Sequence, residues 1–223
     1  MQSLPDAVIF DMDGLLIDTE TFSLRAFEYA VARHELENLT DLFISLVGTN
    51  ETHHNETLRD QLSHLVDPVA FRKTWVDHYR DLTTSETVPL LDGVLETLQW
   101  LQNEGIKLAV ATSSTSDAAE KKLKDTDIRE FFSTVTCGDQ VERSKPHPDI
   151  YLKAGASVGA DMSASIGLED SVNGVKAAHG AGLNVIHVPN VVPPSKELSD
   201  MGVKVCDSMH DVLNLIRSGN SLA

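Results

Sequence analysis

The chain has 223 residues, enough to bury a good core and to form one large domain, or one domain carrying a smaller insert. Hydrophobic residues at 41% and charged residues at 23% give a globular balance, but the formal charge of −16 is strongly acidic. Nucleic acid and anionic membranes bind through Lys and Arg, so neither is expected as a partner, and an anionic substrate needs a local positive site.

The opening segment, MQSLPDAVIF, has neither a basic n-region nor the apolar h-region of a secretory signal, and no apolar run approaches membrane-spanning length. A cytoplasmic location is the default expectation. Ala7 to Phe10 reads as a first strand, and DMDGLLIDTE follows it directly, with Asp11 and Asp13 one residue apart and Gly14 behind them. An EF-hand loop also begins Asp-x-Asp, but it wants an oxygen ligand fifth and Gly sixth, where this chain has Leu15 and Leu16. A calcium loop is therefore disfavoured, leaving an acidic turn or a reaction centre.

From Asp18 to Thr87 no strand is expected, because apolar residues keep helical spacing, as in Phe22-Ala26-Tyr29-Ala30 and Leu58-Leu62-Leu65. The segment Thr49-Asn50-Glu51-Thr52-His53-His54 reads as a polar loop of this insert, its two histidines solvated and without zinc-ligand spacing. The chain re-enters a sheet domain at Val88-Pro89-Leu90. Apolar, β-rich runs then recur at Leu108 to Ala111, Thr134 to Cys137, Ser165 to Leu168, Val185 to Val188 and Val203 to Cys206. Helical spacing lies between them, in Val94-Leu95-Leu98-Leu101, Ile150-Tyr151-Ala154, Val172-Val175-Ala178 and Val212-Leu213-Leu215-Ile216. This alternation predicts an α/β fold: a Rossmann-like parallel sheet with helices on both faces, plus a small all-helical cap inserted after the first strand. The expected division is 1–17 and 88–223 for the core and 18–87 for the cap. Cys137 and Cys206, far apart and beside apolar residues, read as reduced core thiols.

In parallel sheets, ligands bind outside the carboxyl ends of the strands. The first strand delivers Asp11 and Asp13 there, the second Thr112-Ser113-Ser114, the third Ser144-Lys145-Pro146, and the fourth Glu169-Asp170-Ser171. Each group has a plainer explanation. The hydroxyls could cap a helix, Lys145 could be solvated, and the acidic pair could favour a helix dipole. Four such accidents at four strand ends are less economical than one site.

Taken together, DMDG, the VATSS strand end, SKPHPD and GLEDSVNG resemble, in order, the four motifs of the haloacid dehalogenase superfamily of phosphohydrolases. The insert is similar to the helical cap of its β-phosphoglucomutase-like branch, and the likeness covers essentially the whole chain. The resemblance implies Asp11 as nucleophile, forming an aspartyl-phosphate, and Asp13 as general acid and base. Extended geometry sends both side chains to one side of the chain. It further implies that Mg²⁺ is held by Asp11, the Asp13 main-chain carbonyl and Asp170, with Glu169 as a direct or water-mediated helper. Lys145, Thr112, Ser113 and nearby amides would bind the phosphoryl group, Gly14 letting the backbone come close.

The expected activity is Mg²⁺-dependent hydrolysis of a small phosphorylated metabolite. A hexose phosphomutase is the alternative. Related mutases carry a basic or imidazole group on the first cap helix and an Arg after a cap glycine, where this chain has Ser23 and Glu51. A non-catalytic binding module is a second alternative, disfavoured because every motif carboxylate and the motif lysine are present. Glu20, Ser23, Asn50 and Glu51 are the expected selectors of the leaving group. A cap in this position covers a site without help from another subunit, so a monomer is expected.

Overall fold

The computed structural model describes residues 4–49, 51–191 and 196–219. The chain divides into two compact units, Met1–Ile17 with Pro89–Ala223, and Asp18–Val88. In chain order, strand β1 (Ala7–Phe10) is followed by the described helices of the second unit, α1 (Thr19–Arg33), α2 (Thr40–Leu46), α3 (Glu51–Leu62) and α4 (Pro68–Ser85). The first unit resumes with α5 (Val94–Asn103), β2 (Lys107–Thr112), α6 (Ser116–Asp125), β3 (Thr134–Cys137), α7 (Asp149–Val158) and β4 (Ile166–Glu169). It ends with α8 (Val172–Gly180), β5 (Asn184–His187), α9 (Lys196–Asp200), β6 (Lys204–Val205) and α10 (Met209–Ser218).

Among the described residues, six strands form one sheet in the order β3-β2-β1-β4-β5-β6, with each neighbouring pair parallel. Their apolar runs are nearly continuous because helices cover both faces. Successive side chains alternate between those faces. Ile9 packs with Ala109, Ala111 and Val185 against Ile150, Tyr151 and Ala154 of α7 and Val175 and Ala178 of α8. Phe10 points the other way and meets Phe132 edge-on at 5.7 Å. Helices α5 and α10 pack together in the same unit, where Thr97 donates a buried hydrogen bond to the Met209 carbonyl at 3.2 Å. Register aligns the strand ends: Phe10 is level with Val110 of β2 and Leu168 of β4, which brings Asp11, Thr112 and Glu169 to one edge.

The helical unit is built around Phe27, whose ring lies 5.3 Å from Phe43, 5.4 Å from Phe71 and 5.1 Å from Trp75. Asp18 caps α1 by accepting from the Thr21 amide. Asp67 caps α4 by accepting from the Val69 amide, with Pro68 pre-set for the first turn. Arg25 grips Glu86 through two bonds of 2.8 Å. One expectation is corrected here: Glu51 to His54 are not a loop but the first turn of α3. Only Leu58 and Leu62 of that helix are buried, so its polar start carries no apolar periodicity to announce it. His54 stacks nearly parallel on Trp75 at 5.6 Å and bonds the Leu46 carbonyl at 3.0 Å, so it is packed rather than solvated.

Candidate active site

The site begins where β1 ends. The Asp11 amide donates to the Leu168 carbonyl at 2.9 Å, extending the ladder by one residue and fixing the first carboxylate beside β4. Three residues on, Gly14 takes a φ of +81°, a conformation that favours glycine. The Met12 carbonyl accepts from the amides of Leu15, Leu16 and Ile17, and the three apolar side chains are buried. DMDGLLI is therefore a packed turn rather than a loose acidic loop.

The loop after β3 carries Lys145. Arg143 braces it with two bonds to Asp149, 3.0 and 2.7 Å, at the first turn of α7. The Lys145 ammonium is buried and donates to Asp11 Oδ1 at 2.5 Å and to Glu169 Oε1 at 2.6 Å. Glu169, fully buried at the end of β4, also accepts from the Tyr151 hydroxyl at 2.7 Å through Oε1 and from the Ser171 hydroxyl at 3.2 Å through Oε2. Space for this carboxylate exists because α8 has Gly174 there; a Cβ at that position would stand 1.9 Å from Glu169 Oε1. Ser171 in turn caps α8 by accepting from the Gly174 amide at 3.1 Å.

Among the described residues, carboxylate oxygens of Asp11, Glu169 and Asp170 converge within 4.8 Å of one another, and all three residues are buried. One ammonium cannot neutralise three carboxylates. Burial pushes the Asp11 carboxyl up to about 8, with repulsion from Glu169 and Asp13 adding to it and Lys145 opposing it. Burial alone would lower the Lys145 ammonium, but the Asp11 and Glu169 carboxylates outweigh it and hold it above its ordinary value. Burial and the surrounding carboxylates raise the Tyr151 phenol well above its usual value, so it stays a donor. A buried, oxygen-only, electron-rich donor set of this kind fits a hard divalent cation.

Asp13 has different partners. Its carboxylate accepts from Ser114 Oγ at 2.7 Å and Lys122 Nζ at 2.5 Å, with Thr112 Oγ1 at 3.5 Å. Thr112 Oγ1 also accepts from the Ser114 amide at 3.1 Å. Ser113, expected beside them, is exposed.

The structure thus brings Asp11, Asp13, Thr112, Lys145, Glu169 and Asp170 to one sheet edge, together with Ser114, which the sequence put at the second strand end without a role of its own, and it adds Lys122 and Tyr151, which sequence reasoning did not assign. Tyr151 read only as a core residue, although a buried phenol needs a partner. Lys122 lies beside the buried stripe of Ala119 and Leu123 on α6, a position that Lys124 shares, so no local signal singles it out. The expected leaving-group selectors belong to the helical unit. Glu20 and Ser23 are half-buried on α1, and the Ser23 carbonyl accepts from Trp75 Nε1 at 3.0 Å. Glu51 is exposed and ion-paired with Arg72 at 3.0 Å, a cation that sequence reasoning did not notice. Asn50 lies outside the described residues. No helix among the described residues is long and apolar enough to cross a membrane.

The family model for haloacid dehalogenase-like hydrolases matches residues 8–188. The phosphorylated carbohydrates phosphatase of Thermotoga maritima is 30% identical over 95% of this chain and 98% of its own. Hexitol phosphatase B of Escherichia coli K12 is 34% identical over 82% of this chain and 83% of its own. The crystal structure of CbbY from Rhodobacter sphaeroides in complex with phosphate superposes with a TM-score of 0.72 at 26% identity, covering 94% of this chain and 96% of that one.

Proposed function

Because the chain belongs to the haloacid dehalogenase-like hydrolase family, we propose that it is a Mg²⁺-dependent phosphatase acting through a phosphorylated Asp11. The single observation that carries this reading is the Asp11 carboxylate, buried at a strand end, gripped by Lys145 and converging with Glu169 and Asp170.

The ester substrate is an anion, so attack needs charge neutralisation, in-line alignment and a protonated leaving oxygen. Asp11 supplies the attacking oxygen: its bond to phosphorus forms as the bond to the leaving oxygen breaks. Lys145 places fixed positive charge beside the attacking carboxylate and the incoming phosphoryl group. Asp13 in its protonated form gives that proton to the leaving alkoxide and becomes a carboxylate, which then takes a proton from the water that attacks the phosphorylated Asp11, so that phosphate is released, the Asp11 carboxylate is restored and Asp13 is protonated again. Thr112, Ser113 and the amides beyond them would hydrogen-bond phosphoryl oxygens, and Gly14 keeps side-chain bulk away. Asp11, Asp170 and the Asp13 main-chain carbonyl would hold Mg²⁺, with Glu169 directly or through water. The ion supplies charge neutralisation at the phosphoryl oxygens when bound.

The relatives named for phosphorylated carbohydrates and hexitols support a sugar or polyol phosphate as the substrate class. They also favour hydrolysis over phosphate transfer between hexose positions. The carboxylate of Glu51, where related mutases carry an arginine, supports the same preference, although Arg72 beside it offsets part of that charge. Glu20, Ser23, Asn50 and Glu51 remain the proposed selectors of the leaving group. Asp11→Asn is expected to melt like the parent chain and to release no phosphate from an aryl phosphate with Mg²⁺ present; a fully active variant would remove Asp11 as nucleophile.

A further inference from the structure

Two carboxylates separated by one residue end up with different partners, and one partner of the second is a lysine on α6. We propose that Lys122 is a positioning residue that, with Ser114, draws the Asp13 carboxylate away from the Asp11, Glu169 and Asp170 cluster and reserves it for proton transfer instead of metal coordination. The proposal rests on the phosphatase reading above for the role of Asp13, and on geometry alone for the role of Lys122.

The segment Lys121-Lys122-Leu123-Lys124 contains three lysines with unlike fates. Lys121 pairs with Asp125 and Lys124 with Glu120, one helical turn away, and both side chains are about 70% exposed, at 72% and 68%. Those pairs are surface pairs of small consequence. Lys122 has a side chain 28% exposed and reaches a carboxylate far away in sequence. Its ammonium also lies 3.4 Å from Ser114 Oγ, which itself donates to Asp13 Oδ2 at 2.7 Å, so Lys122 and Ser114 hold the two oxygens of one carboxylate. Both oxygens of Asp13 are thereby engaged on the α6 side.

This separation has a chemical purpose. A hard cation recruits carboxylates within its reach, and calcium takes six to eight oxygens where magnesium keeps few carboxylates. An Asp13 side chain captured by the ion could no longer deliver a proton. Removing the ammonium therefore makes the protein a better calcium binder and a poorer catalyst for leaving groups that need protonation. A lysine that merely stabilised α6 would weaken both properties together.

The test uses the full chain as Lys122→Met, Lys122→Arg, Asp13→Asn and the double variant Lys122→Met with Asp13→Asn. Calorimetric titration with Ca²⁺ and Mg²⁺ is read beside hydrolysis of p-nitrophenyl phosphate and of the best-used alkyl ester in a sugar phosphate panel. For Lys122→Met we expect Ca²⁺ affinity to rise roughly tenfold and more than Mg²⁺ affinity, the scale on which ligand number tunes such sites. Turnover of the alkyl ester should fall about a hundredfold while the aryl ester, whose leaving group needs little protonation, falls only a few-fold. Lys122→Arg should recover most of both. In the Asp13→Asn background the gain in Ca²⁺ affinity should vanish, which separates recruitment of Asp13 from simple loss of a nearby positive charge. Equal losses on both esters, unchanged or weaker Ca²⁺ binding, or a gain that persists without the Asp13 carboxylate would each overturn the proposal. A parent chain that hydrolyses neither ester would sink the phosphatase reading instead, and the calorimetric arm would still decide the role of Lys122.

Discussion

Tyr151 donates its phenolic hydrogen to Glu169 Oε1 at 2.7 Å while its ring is fully buried in the face of the sheet covered by α7 and α8. The same oxygen accepts from Lys145, whose ammonium lies 5.2 Å from the centroid of that ring. A residue that looks like packing thus aims the lysine that touches Asp11. Tyr151→Phe keeps the ring and deletes one hydrogen bond to a buried charge, a loss of about 1–3 kcal/mol. Urea melts should show that loss, and the Mg²⁺ concentration for half-maximal activity should rise; unchanged melts and unchanged Mg²⁺ dependence would refute the coupling.

Gly174 is required by the carboxylate it faces. Alanine is the better helix former by about 1 kcal/mol, so Gly174→Ala would stabilise α8 if propensity decided the outcome. A Cβ placed 1.9 Å from Glu169 Oε1 must instead displace that side chain. The expected result is a lower melting temperature and a loss of at least tenfold in kcat by aryl phosphate assay, tenfold corresponding to about 1.4 kcal/mol. A more stable, fully active variant would show that the carboxylate can move without consequence.

Lys145→Met tests the balance of buried charge. Removing one partner of a buried ion pair typically costs 3–5 kcal/mol, because an uncompensated charge remains. Here both Asp11 and Glu169 lose their shared counter-charge. Activity should be abolished and the melting temperature should drop, and added Mg²⁺ should restore more of the melting temperature in the variant than in the parent chain. Equal shifts with Mg²⁺ in both proteins would contradict the view that lysine and cation share one cluster of negative charge.

Much of this arrangement was legible in the sequence because a parallel sheet covered on both faces writes its strands as short apolar runs. Asp11, Thr112 and Glu169 stand at the very ends of those runs and Lys145 in the loop beyond one of them, so all four could be placed at the carboxyl edge of the sheet from the sequence. The start of helix α3 was not legible, since Glu51 to Thr57 carry no apolar marker, whereas Leu58 and Leu62, which face inward, announced its second half. Lys122 was hidden in a run of lysines, where composition alone does not tell which one turns toward the sheet. The Arg72 pair with Glu51 joins two helices by a contact that no local pattern encodes.

His54 provides a pH signature for the helical unit. Burial lowers its pKa from 6.5, with the Leu46 carbonyl opposing that shift and Arg72 and His53 adding to it. The unfolded chain therefore binds a proton more readily than the folded one. Stability from the neutral packed ring is full above about pH 6.5 and is lost as pH falls through the depressed folded value. Circular dichroism melts between pH 7.5 and pH 5, values chosen to bracket roughly that window, should slope downward for the parent chain and less steeply for His54→Phe, which keeps the stack on Trp75. Identical slopes would place the sensitivity elsewhere.

On the proposed mechanism Asp11 carries the phosphoryl group during turnover. The most direct measurement is rapid acid quench of the Mg²⁺-loaded parent chain during turnover of an aryl phosphate, followed by peptide mapping of the phosphorylated residue by mass spectrometry. A phosphoryl group on Asp11 at early times, its disappearance as substrate is exhausted, and no adduct in Asp11→Asn are expected. A phosphoryl group mapped to any other residue, or steady turnover by Asp11→Asn, would contradict it.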